Sequence, residues 1–190
     1  MLGKPRNKHL FLDKDKLWED LPELQGNTKG ASCMVLLFYF LVNIIAIFLF
    51  MRIKKNLHIL EIMVYWMVAT YLFQNFSAIC YMNFKTIVIP NKLSYEFSHF
   101  LNRLFLYPVL MVAFLNLFII LKSKLKKLLL TLVSILLLTG LEWFADFLGV
   151  INHVHWRIWW SFSFWLAGLL ILLVAMGFFR KILYRRGSHL

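Results

Sequence analysis

Glu142 and Asp146 stand four residues apart inside an otherwise apolar run, a spacing that puts both carboxylates on one face of a helix. A second apolar run carries Glu96, His99, Asn102 and Arg103; the first, second and fourth share a helical face, with Asn102 beside them. A third presents Thr70, Gln74, Ser77 and Tyr81 as one polar stripe. The segment INHVHWRIWW, from Ile151 to Trp160, adds His153 and His155 among tryptophans. These residue types admit three chemistries. Arg103 can pair with an acid of a neighbouring helix, Asp146 first. Alternatively Arg103 meets an anionic ligand, or the acids meet a cation or amine. Thirdly, His99, Asp146, His153 and His155 form a zinc-like set of nitrogen and oxygen ligands, with Glu142 as acid or base for a metal-assisted hydrolase. No HExxH or contiguous ligand motif is present, so the sequence commits neither a metal site nor a cofactor.

The elements that must position these groups follow from composition. Of the 190 residues 61% are hydrophobic and 16% charged, against roughly 45–50% and 25% in a soluble domain. One core of ordinary size does not hide that much apolar surface. The long uncharged runs after Lys29, Glu61, Arg103 and Arg157 each approach or exceed the ~20 residues that cross a bilayer, and the backbone must satisfy itself there, so they are helices. The run after Lys127 is too short alone and continues through Glu142 and Asp146. The fold expected is all-α: a polytopic bundle of five transmembrane helices at about 31–51, 61–83, 95–121, 127–150 and 158–180. A polar tail, 1–30, precedes this 31–184 domain, and a basic tail, 185–190, follows it.

Short links at Arg52–His58 and Lys122–Lys127 predict antiparallel neighbours for spans 1 and 2 and for spans 3 and 4. Matching residues about the second link puts Arg103 level with Asp146, and Tyr107 with Glu142. The two acids, Glu96, His99, Asn102, Arg103 and Gln74 then form one polar cluster in one leaflet, at side A. Glu61 and Asn116 lie toward the opposite side B. Pro108 removes a backbone donor and predicts a kink one turn past Arg103. Level placement also permits a disulfide between Cys33 and Cys80.

The formal charge of +12 tempts a nucleic-acid reading, but the basic residues flank apolar spans and form no groove-sized patch. Arg52, Lys54, Lys55, Lys122, Lys124, Lys126, Lys127, Arg180, Lys181, Arg185 and Arg186 all gather on side B, which the positive-inside rule assigns to the cytoplasm, facing anionic lipid headgroups. The N-terminus is then outside and the C-terminus inside a cell membrane. No apolar signal segment occurs in the first 30 residues. Leu10, Leu17, Leu21 and Leu24 make one stripe of a short interfacial helix or belong to a loose polar tail.

The run GLEWFADFLGV, the histidine-bearing loop and RIWWSFSFW resemble small multi-pass membrane proteins of spore-forming Gram-positive bacteria, over residues 59 to 180. That resemblance implies a bacterial membrane protein and brings no settled activity. Three functions stay open: a partner subunit or scaffold that docks another membrane protein or itself; a binding or transport component with its site among spans 2–4; and the intramembrane hydrolase.

Overall fold

The computed structural model describes residues 25–84, 86–90, 92–154 and 156–185. The stripe at Leu10–Leu24, and His155, lie outside them. Helix α1 is Gln25–Arg52 and α2 is Ile59–Met82. The third span is α3, Leu93–Leu101, continued by a π-helical turn, Asn102–Leu106, into α4, Tyr107–Ile120. Helix α5 is Lys124–Phe147 and α6 is Ile158–Arg185. Five helices are therefore long and apolar enough to cross a membrane.

The helix boundaries have local causes. His58 caps α2 reciprocally: its ring accepts the Leu60 N–H at 3.3 Å, and Glu61 accepts the His58 N–H at 2.8 Å. The π turn answers Pro108. Proline cannot donate to the carbonyl four residues back and its ring crowds that turn. The helix widens just before it, with the Tyr107 N–H reaching back to the Asn102 carbonyl. At the end of α5, Gly149 adopts φ +70°, a left-handed conformation open to glycine, and the chain doubles back. Helix α5 thus stops at Phe147, short of the anticipated Val150.

That reversal brings a two-residue strand, β2 (Asn152–His153), against β1 (Ile87–Val88) from the α2–α3 loop. The pair is antiparallel, Ile87 opposite His153 and Val88 opposite Asn152. The β-branched run around Ile87 suits it.

The third span is the hub of the bundle: α4 touches α1, α2, α5 and α6. Val112, Leu115, Leu138, Trp165, Leu169 and Leu172 pack around it, fully buried. At Gly168 a side chain would begin 3.3 Å from the Met111 methyl, so the missing Cβ lets α6 approach α4.

One expected adjacency is corrected. Helix α1 packs on α3 and the π turn, not chiefly on α2. A short link holds only the helix ends together. Here Asn116 of α4 clasps that link, accepting the Asn56 N–H at 2.8 Å and donating to the Lys54 carbonyl at 2.9 Å. The link is pulled over the end of the third span, and α1 follows; inside the bundle Asn43 donates to Asn102 at 3.3 Å.

Candidate functional site

The polar residues assemble into three separate groups. The largest centres on Glu142, buried near the end of α5. Its Oε1 accepts from Ser161 Oγ at 3.1 Å and lies 3.2 Å from His153 Nε2. Its Oε2 accepts the Trp165 indole N–H at 2.7 Å. Ser161 in turn accepts the Trp156 indole N–H at 2.8 Å. Ser161 and Trp165 are one turn apart at the start of α6, so a single face of that helix supplies two of the donors.

Asp146 lies one turn after Glu142. Its Oδ1 accepts the His153 backbone N–H at 2.9 Å and faces His153 Nδ1 at 3.2 Å. The imidazole therefore spans the two acids, one nitrogen to each, and an imidazolium, which alone has two ring donors, satisfies both at once. The positive φ at Gly149 and the β1–β2 pairing place that ring over the end of α5.

From this polar end the cluster continues into aromatic packing. The Trp165 ring stacks on Phe73 of α2, with centroids 5.2 Å apart, and lies 5.0 Å from the ring of Tyr107 of α4. Four helices, α2, α4, α5 and α6, and the turn thus meet through one carboxylate and one indole.

A second group lies between α2 and the third span. Arg103 Nη1 donates to Ser77 Oγ at 3.2 Å, and Ser77 Oγ is 3.4 Å from His99 Nε2. Ser77 thus joins Arg103 and His99, its hydroxyl accepting from the guanidinium, while the direction of the Ser77–His99 contact follows the imidazole tautomer. Arg103 Nε is buried with no hydrogen-bond partner. The third group is at the other end: Arg180 of α6 forks onto Glu61 of α2, Nε to Oε1 at 2.7 Å and Nη2 to Oε2 at 3.3 Å.

Several expectations are corrected by this geometry. Arg103 does not pair with Asp146; it turns to Ser77, while Asp146 takes His153. The single cluster expected from Gln74, Glu96, His99, Asn102, Arg103, Glu142 and Asp146 divides, because His99 and Arg103 face α2 whereas Glu142 and Asp146 face His153 and α6. Asn102 joins α1 through Asn43, and Gln74 and Glu96 are exposed. His99 bonds Ser77, away from Asp146 and His153, so the zinc-like set does not assemble. Among the described residues no group of three or more His, Cys, Asp or Glu side chains is placed to hold a metal ion. Cys33 is exposed, Cys80 is buried, and both are free thiols.

Tryptophan concentrates at the membrane–water interface, where its amphipathic ring anchors a span. Trp143, Trp159 and Trp160 are exposed in that manner, but Trp156 and Trp165 are hydrogen-bond donors within the polar network. The sequence carries a signal for this: matching residues about the turn near Asn152 sets Ser161 level with Glu142. The Glu61–Arg180 pair has the same kind of signal, since both residues lie at the side B ends of their helices.

No protein-family model, no curated protein and no solved structure matches this chain. What the fold defines is the architecture of a multi-pass membrane protein: all-helical, with five helices apolar enough to span.

Proposed function

We propose that the chain is a cell-membrane protein that works by association, as a partner subunit or scaffold for another membrane protein or for itself. Its polar clusters hold its own bundle in shape. The observation that carries this reading is the state of Glu142. Both of its oxygens are occupied by groups of the chain itself: His153 and Ser161 on one, Trp165 on the other. An acid at bilayer depth is costly unless it is paired, and this one is paired internally. It lines neither the lateral groove beside Phe76, Trp156 and Phe164 nor the one beside Trp66, Thr70 and Gln74. A carboxylate so enclosed holds helices together and has little capacity left for a ligand.

In this reading the N-terminus is outside and the C-terminus inside. The basic residues after α1, before and within the first turn of α5, and at the end of α6 then face the cytoplasm and anionic headgroups. One of them, Arg180, is held in an ion pair with Glu61. Cysteine labelling from either face tests the orientation: Lys54→Cys reacts from the cytoplasmic side and Lys92→Cys from outside, and the reverse pattern inverts the assignment.

Purification in mild detergent followed by mass spectrometry tests association. The expected result is a protein, or a second copy of the chain, at fixed stoichiometry in both wild type and Glu142→Gln. A monomer that carries a small molecule, lost in Glu142→Gln, contradicts it and favours the binding or transport reading.

A further inference from the structure

Arg103 is a cation within a membrane span, with no carboxylate within ion-pair distance among the described residues. Glu142 and Asp146 are engaged by His153 and Trp165. Glu96 lies on the same span, seven residues or about 10 Å nearer its end, and is exposed. A guanidinium has five N–H donors; among the described residues a single side-chain bond, to Ser77, is made, and the buried Nε makes none. An unmatched cation in a low-dielectric setting calls for an anion.

The surface beside it has a definite shape. Between α2 and the π turn runs a lateral groove of about 390 Å³, walled by Trp66, Met67, Thr70, Tyr71, Gln74 and Leu104. Leu104 follows Arg103 directly, and Ser77, which holds Arg103, continues the α2 stripe of Thr70 and Gln74. Arg103 and Ser77 are not walls of the groove; their bond lies just beyond its Gln74 end, about one helical turn along α2. In the groove wall Thr70 Oγ1 is buried without a hydrogen-bond partner. Met67 and Tyr71 are 70% exposed, so the groove opens sideways, toward lipid. From Ser77 to Trp66 is about 16 Å along the helix, close to the length of an acyl chain, and it runs from the side A leaflet toward the middle of the bilayer.

We propose that Arg103 binds the phosphate of an anionic phospholipid, with Thr70 and Gln74 bonding the headgroup–glycerol region and one acyl chain lying in the groove. Arginine matches phosphate with paired N–H donors. A half-buried cation within a membrane span is surrounded by lipid, whose phosphate is the nearest abundant anion. This site is independent of the association reading, since it uses neither Glu142 nor its partners.

The experiment is thermal unfolding of the full chain in detergent, titrated with phosphatidylglycerol, with a phosphate-free diglucosyl lipid of the same chains, and with inorganic phosphate. Phosphatidylglycerol raises the wild-type unfolding temperature, and Arg103→Gln weakens its apparent affinity about tenfold or more, the scale of a lost charge-assisted contact. Thr70→Val and Gln74→Leu, which leave the cation in place, weaken it less and supply the test if Arg103→Gln does not fold. Native mass spectrometry shows one phospholipid retained by wild type and not by Arg103→Gln. Equal responses of wild type and all three variants overturn the proposal. So does a diglucosyl lipid as effective as phosphatidylglycerol (chain binding alone), an equal effect of inorganic phosphate (a soluble-anion site), or a protein carboxylate cross-linked at Arg103.

Discussion

Asp146 and His153 meet twice: one carboxylate oxygen faces both the backbone N–H, at 2.9 Å, and ring Nδ1, at 3.2 Å, of the same histidine. The double contact fastens the β-turn segment to the last turn of α5. Asp146→Ala leaves the His153 amide and one ring nitrogen without that acceptor. The loss is about 1–3 kcal/mol, toward the low end because the Asp146 side chain is 32% exposed and water replaces part of it. Hydrogen exchange at Ile87, Val88 and His153 is expected to accelerate in this variant, while α2 and α4 stay protected. Unchanged exchange at the strand pair contradicts the contact.

Gly149 fixes how the chain reaches that position. Its φ of +70° is unfavourable for any residue with a Cβ, although space is free there: an added Cβ meets nothing within 4 Å. Gly149→Ala is expected to destabilise by about 1–2 kcal/mol through backbone strain alone. Gly149→Asn, which tolerates the left-handed region better, falls between the two. Unfolding followed by circular dichroism in micelles gives the order; an alanine variant as stable as wild type excludes strain as the constraint.

The Glu61–Arg180 pair locks the opposite ends of α2 and α6. Glu61 is fully buried and also caps its helix by accepting the His58 N–H, whereas Arg180 is 29% exposed. Arg180→Gln, which strands a fully buried carboxylate, is therefore expected to cost more, about 3 kcal/mol, than Glu61→Gln, which leaves only a part-exposed cation and an amide oxygen that still accepts the His58 N–H. Arg180→Lys recovers part of the loss, because it keeps the charge and gives up the two-pronged geometry. Thermal unfolding in detergent checks the order, and an Arg180→Gln variant as stable as wild type denies the lock.

The architecture was legible in the sequence because bilayer physics constrains it tightly. Apolar runs of the required length admit few alternatives to helices, and the charges that interrupt them mark the links. The site was less legible. Depth matching found which residues share a leaflet, and its weakness was azimuth. Arg103 and His99 share one face, as a uniform 100° wheel puts them, but that face meets Ser77 of α2 and not Asp146 of α5, which the wheel of a single helix does not decide. The clasp of Asn116 on the first link, which draws α1 onto the third span, depends on a polar residue whose partners are backbone groups sixty residues away. Glu142 and His153 stand out in the sequence together, but the other two partners, Ser161 and Trp165, do not. Tryptophan carries two signals, interfacial preference and a buried N–H that needs an acceptor, and only the first shows in composition.

The central claim is that Glu142 and Trp165 form an internal lock between α5 and α6. A double-mutant cycle with Glu142→Gln, Trp165→Phe and the double variant measures it directly, by reversible unfolding in mixed micelles. Phenylalanine keeps the packing against Phe73 and Tyr107 while removing the indole N–H. The predicted coupling is about 1–2 kcal/mol, the range of a hydrogen bond to a charged group moderated by the membrane reference state. Losses that simply add, within about 0.3–0.5 kcal/mol, would show that the two residues do not support each other and would contradict the account.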